Sequence, residues 1–172
     1  MGERQKCLFS DRLVLEPLAE RHADAVVDLF ADPAMSSLLG TDLSAPTLAR
    51  RMVDDRLAYD GPPEPGHWAV LLDGDLVGLA HLRPSGELPD GLPEIGWYLA
   101  ARHGGRGLAT EAARALLRHG LDDLGLHSVW ALVHVDNAPS LRLARRLGLL
   151  VVGEGHHDNG PHRVHVGLPG PV

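Results

Sequence analysis

From Arg102 to Gly107 the chain reads Arg-His-Gly-Gly-Arg-Gly, and an amphipathic run begins directly behind it. Glycine is costly before a helix unless something must come close to the backbone. The first four N–H groups of a helix have no partner within it, and they carry the positive end of its dipole. Glycines that open a path to those amides, with Arg102 and Arg106 adding charge, make a seat for an anion, and a pyrophosphate would fit. No Gly-Lys-Ser/Thr follows, so this is not a triphosphate P-loop. The glycines also lack the spacing and the strand–helix alternation of a dinucleotide site. The plain alternative is a glycine-rich turn.

A second cluster lies near the C-terminus, where His156, His157, His162 and His165 could gather two or three imidazoles. No cysteine or acidic pattern completes a ligand set around them, so no metal is expected. Cys7 is the only cysteine, which excludes an internal disulfide and fits a reducing cytoplasm. The net charge of −7 argues against nucleic acid and tolerates a cationic substrate. No apolar run approaches the ~20 residues that span a bilayer, and the first residues lack a signal-peptide core. A cytoplasmic protein without membrane or nucleic-acid partners is expected.

These residues need elements to position them. Leu13 and Leu15 alternate in a strand over 12–18 that ends near Pro17. Ala23, Val26, Val27 and Phe30 follow helical spacing over about 19–31. Pro33 and Gly40 bracket a loop. A second helix has Pro46 in its first turn and Leu48, Met52 and Leu57 turned inward. Residues 61–66 are a connector. Asp73-Gly74 between two apolar runs predicts a hairpin. The strand after it, over 94–100, contains Gly96, which points to a bulge or a close backbone approach. Ala109, Ala112, Ala113, Leu116, Leu117, Gly120, Leu121 and Leu124 mark the clearest helix. A strand over 128–135 turns through Asp136 and Asn137 into a last helix, with Pro139 near its start and Gly148 past its end. Segments 149–153 and 162–168 close the chain as short strands. Helices interleaved into a mainly antiparallel sheet describe an α+β fold, and 172 residues suit one domain over 1–172.

With those elements in place, Arg102–Gly107 resembles the Q/R-x-x-G-x-G/A signature of the GNAT superfamily of N-acetyltransferases. "GRGLATEA" (105–112) is similar to the branch that includes the Rim-type acetyltransferases of ribosomal-protein N-termini. The resemblance extends to the opening strand and helix (11–30), the central hairpin (67–82), the strand "EIGWYLA" and the Asn-x-x-Ser start of the last helix. Three positions depart from the pattern. Gly104 stands where this branch often has a large or polar residue. Leu149 replaces an aromatic residue. Ala144 occupies the place of a tyrosine that many members carry seven residues after the Asn.

The resemblance implies a V-splayed, mainly antiparallel mixed sheet flanked by helices, with acetyl-CoA as co-substrate. Pantetheine would lie in the V against the strand at Trp97, Tyr98 and Leu99, with Asn137 and Ser140 on its other side. Its pyrophosphate would rest on the segment Arg102, Gly104, Gly105, Arg106, Gly107, Leu108, Ala109 and Thr110. A homodimer is also implied, with the two terminal strands offering an edge. The acceptor would be a protein N-terminus, a polyamine or another small amine.

Acetyl transfer to an amine needs a neutral nitrogen, and a lysine-type amine has a pKa of ~10.4. A general base must take the proton, directly or through water. Glu94, at the start of its strand, is the favoured base and His134 the second. A strand N–H near Tyr98 or Leu99 would meet the oxyanion. With no tyrosine at Ala144, the departing thiolate is left to Ser140 or water. Ser140 could instead cap the last helix, and Asn137 could be an ordinary turn residue. The alternative from another class is an acyl-CoA-binding regulatory module, which would keep Gly105, Gly107 and Asn137 but would not need Glu94.

Overall fold

Asp73 and Gly74 turn the chain at φ of 53° and 90°, the left-handed pair that a two-residue hairpin demands. The turn joins strands β3 (His67–Leu72) and β4 (Asp75–Pro84) in the centre of an eight-stranded sheet. In this computed structural model, residues 5–35, 43, 45–61, 66–157 and 160–170 are described. Gly40 and residues 62–65, assigned above to loops, lie outside them.

The remaining strands are β1 (Leu8–Phe9), β2 (Leu13–Pro17), β5 (Pro93–Leu99), β6 (Val129–His134), β7 (Leu150–His157) and β8 (Gly160–Gly167). Their order across the sheet is β1-β2-β3-β4-β5-β6-β8-β7. Every neighbouring pair is antiparallel except β5 and β6. Those two run parallel and meet at a single position, Glu94 opposite Trp130. Beyond that point they part, which gives the splayed mixed sheet. A two-residue β1 precedes the first strand read from the sequence.

Alternation assigns each face of the sheet. Leu13, Leu15, Trp68, Val70, Ala80, Leu82 and Ile95 pack against Leu108, Ala112 and Leu116 of helix α3 (Leu108–Arg118). Leu79 and Tyr98 face the other way, into a cluster with Val26 and Phe30 of α1 (Ala23–Ala31) and Ala49 and Val53 of α2 (Pro46–Leu57). One inward assignment needs correction. Leu48 is 50% exposed, because the buried side of α2 falls one residue on, at Ala49 and Val53. Leu124, the last residue of the apolar spacing, is 38% exposed and follows a π-helical turn at His119–Asp123. Gly120 lets this turn approach the sheet: a Cβ there would lie 2.9 Å from Val129 Cγ2 and 3.2 Å from Leu82 Cδ2.

Candidate active site

Gly105 and Gly107 take φ of 74° and 78°, and Gly107 is the residue from which α3 starts. A left-handed start carries no capping side chain, and none reaches the first turn. The residues of the α3 entrance line a cleft. Arg12 fixes the loop from behind: its Nη2 donates to the Arg106 carbonyl at 3.1 Å. Glu111, in the first turn of α3, accepts from Ser10 Oγ, the Arg12 amide and Arg12 Nε, each at 2.8 Å. Burial opposes the Glu111 charge, but these donors outweigh it and hold the carboxyl below the usual range.

The cleft holds about 580 Å³ and runs from this loop into the opening between β5 and β6. Trp97, Tyr98, Leu99, Gly104, Gly105, Gly107, Leu108, Ala109 and Thr110 line it, and so do Glu94, His134, Asn137 and Ser140. Residues 43 positions apart in sequence, Glu94 and Asn137, thus share one wall system. Arg102 and Arg106, assigned to the anion seat by charge, do not line it.

Helix α4 (Ala138–Arg146) supplies the far wall. Asn137 is its N-cap: Oδ1 accepts from the Ser140 amide at 3.1 Å. The cap is therefore Asn137, not Ser140. Ser140 Oγ instead accepts from Trp97 Nε1 at 3.2 Å, bridging α4 to β5. The hydroxyl proton of Ser140 has no part in that bond. Ala144 is fully buried in the sheet-side core.

Glu94 stands where the strands separate, with its side chain 14% exposed. Burial opposes its charge, yet His81, Ser85 and Arg83 around it outweigh burial and lower the carboxyl to about 2. Complete burial lowers His81 more than Glu94 raises it. The arrangement at neutral pH is thus an ionised Glu94 beside a neutral imidazole. His134 Nδ1 accepts the Asp136 amide at 3.2 Å, which occupies one of its nitrogens.

Sequence reasoning missed His81, Arg83, His103, Arg142 and Arg146, all of which line the cleft. His81 had one readable sign, Gly96, because only their cross-strand pairing gives that glycine its meaning. Of the terminal histidines, His157 and His162 come together, with His134 beside them. His157 reaches Glu87 at 2.9 Å, His162 packs edge-on against both His134 and His157, and His165 is buried. Among the described residues no three His, Cys, Asp or Glu side chains are grouped as a metal would need.

Known proteins share this architecture. An acetyltransferase from Agrobacterium tumefaciens strain C58 superposes with a TM-score of 0.80 and 25% identity, over 98% of both chains. The uncharacterized N-acetyltransferase p20 of Bacillus licheniformis is 27% identical over 144 residues, 81% of this chain and 80% of that one. The spermidine N(1)-acetyltransferase of Escherichia coli K12 is 29% identical over 99 residues, 56% of this chain and 53% of that one. The pattern of the acetyltransferase (GNAT) domain matches residues 12–150, and the chain belongs to that acyltransferase family.

Proposed function

We propose that this protein moves the acetyl group of acetyl-CoA to a primary amine by direct attack, with general-base help from Glu94. What carries the reading is that one cleft joins an uncapped helix start, a pair of diverging strands and a buried carboxylate. The helix start suits a pyrophosphate. Strands that separate leave backbone groups of Trp97–Leu99 for a pantetheine arm, and the amide NH₂ of Asn137 is free of the capping bond. A module that only bound CoA would have no use for an ionised carboxylate buried at the splay.

The neutral nitrogen attacks the thioester carbonyl, a C–N bond forms, and the C–S bond breaks with its electron pair leaving on sulfur. A backbone N–H near Tyr98 or Leu99 meets the oxyanion, and the Ser140 hydroxyl meets the thiolate. Glu94 and Glu87 on the acceptor side favour a cationic amine such as a polyamine or a protein N-terminus. The test is CoA release from acetyl-CoA with a panel of spermidine, short peptides with free N-termini and an aminoglycoside. No release above hydrolysis with any of them would end the reading.

Residues 1–172 act in this reading as one cytoplasmic catalytic domain. The edge strand β7 exposes Leu150, Val151 and Val152 at 58%, 57% and 54%, which supports pairing with a second copy. Light scattering at micromolar concentration should return twice the 18.5 kDa chain mass, and a monomer would refute pairing.

A further inference from the structure

His81 in β4 faces Gly96 in β5 across the strand pair. The residue is only 3% exposed, yet its ring borders the same cleft as Glu94. Buried imidazoles normally have their nitrogens paired. Among the described residues neither Nδ1 nor Nε2 of His81 has a hydrogen-bond partner. The nearest anion is Glu94, with Oε1 3.8 Å from Nε2, an ion-pair distance too long for a hydrogen bond. Gly96 makes the room. A Cβ there would fall 2.2 Å from His81 Cε1 and 2.7 and 2.8 Å from its two ring nitrogens. The ring occupies the space that a side chain at residue 96 would take, and both residues line the cleft.

We propose that His81 and Glu94 act as a buried dyad in which His81 receives the proton of the attacking amine and Glu94 balances the imidazolium that forms. This rests on the amine-acetylation reading above and changes one part of it: the proton passes to His81, and Glu94 helps as the counter-charge rather than as the acceptor. As the C–N bond forms, the proton on nitrogen passes to a ring nitrogen of His81. The thiolate takes a proton from solvent, and His81 returns its own to solvent. An imidazole is intrinsically about two units more basic than a carboxylate. Charging it beside an ionised Glu94 produces a neutral pair rather than a lone buried charge.

The surroundings agree. His67 of β3 lies 5.6 Å away between ring centroids and Tyr98 of β5 lies 6.0 Å away. Burial, foremost, lowers His67 to about 2, so it adds no competing charge. Arg83 of β4 and Arg56 of α2 also disfavour a charged His81, and Glu94 alone pulls the other way. The free enzyme therefore presents His81 neutral, and Glu94 is the group that favours its charging.

The test uses the full chain, acetyl-CoA and whichever panel amine gives the fastest CoA release. His81→Gln should lower kcat by ~10²–10⁴ with acetyl-CoA affinity by calorimetry unchanged. His81→Ala leaves a ring-sized hole, and added imidazole should restore turnover. Substituted azoles should then rescue in order of their basicity. That order is the readout a packing role would not produce. Full turnover by His81→Gln would overturn the dyad while leaving acetylation and Glu94 in place. Rescue that follows azole size alone would also overturn it, as packing. If His81→Gln loses acetyl-CoA binding, the azole series on His81→Ala decides. No turnover by the wild-type protein with any amine would remove the acetylation reading and the dyad together.

Discussion

The two ends of the cleft are built from opposite materials. At the entrance of α3 the groups turned to the cleft are backbone amides, opened by Gly105 and Gly107 at positive φ. Where β5 leaves β6 they are side chains, a largely buried Glu94 and an almost wholly buried His81. Backbone donors are neutral, fixed and cheap to leave facing water. A buried carboxylate beside an unpaired imidazole carries a desolvation cost that packing alone would not retain. On the proposed function the difference separates an end that holds from an end that reacts: a glycine end could bind an anion without changing its own charge, and the proposed dyad could change protonation.

Glu94→Gln breaks the reactive end and has the largest expected effect. It keeps the shape and removes the charge, so kcat should fall by ~10²–10⁴ while acetyl-CoA affinity stays near wild type. Equal losses in rate and in affinity would erase the division between the ends.

Gly107→Asp breaks the holding end. Aspartate at φ of 78° is strained by about 1–3 kcal/mol, and its carboxylate would stand against the pyrophosphate. Acetyl-CoA affinity should fall by about a hundredfold or more, which corresponds to roughly 3 kcal/mol. Calorimetry on the folded variant measures it, and an unchanged affinity would move the pyrophosphate elsewhere.

The same contrast separates what could be read in the sequence from what could not. The α3 start, the Asp73-Gly74 hairpin and the strand at Glu94 were legible, because glycine at positive φ and apolar periodicity leave local marks. Glu94 and Ser140 were legible as candidates only through resemblance. His81 was not, since an isolated histidine in a strand shows nothing until cross-strand register sets it against Gly96. Arg102 and Arg106 were legible only as charge near the loop, and it is Gly104, Gly105 and Gly107 that line the cleft. Leu48 misled by one residue of helical phase.

Ser140→Ala sharpens the comparison where the ends meet. The helix cap belongs to Asn137 and survives the change, so α4 should stay folded. What is lost is the acceptor for Trp97 Nε1 and, in the proposed reaction, the hydroxyl that meets the thiolate. A charge-assisted bond of about 1.5–3 kcal/mol corresponds to a roughly ten- to hundredfold drop in kcat. Unchanged kcat with lowered thermal stability would reduce Ser140 to a bridge to Trp97 and leave water to protonate the thiolate.

The smallest effect probes how the holding end is kept in shape. Glu111 gathers Ser10 and Arg12, and Arg12 in turn holds the Arg106 carbonyl. The turn between β1 and β2 thereby supports the glycine loop across the sequence, as Arg12 and Arg106 are 94 apart. Glu111→Gln keeps the shape and removes the charge. Arg12 is half exposed, so solvent discounts the pair, and the loss should be about 1 kcal/mol. For a chain of this size that is a fall in Tm of roughly 2–4 °C, with acetyl-CoA affinity reduced less than about tenfold. The sign of the pH dependence follows from a folded pKa below the unfolded one. The stabilisation is fully present above the unfolded value of about 4.3 and is lost as pH falls through the lowered folded value. Wild type and Glu111→Gln should thus differ in Tm at neutral pH and converge once the pH has fallen below the lowered folded value. A difference that persists undiminished in acid would mean that Glu111 supports the loop through packing rather than charge.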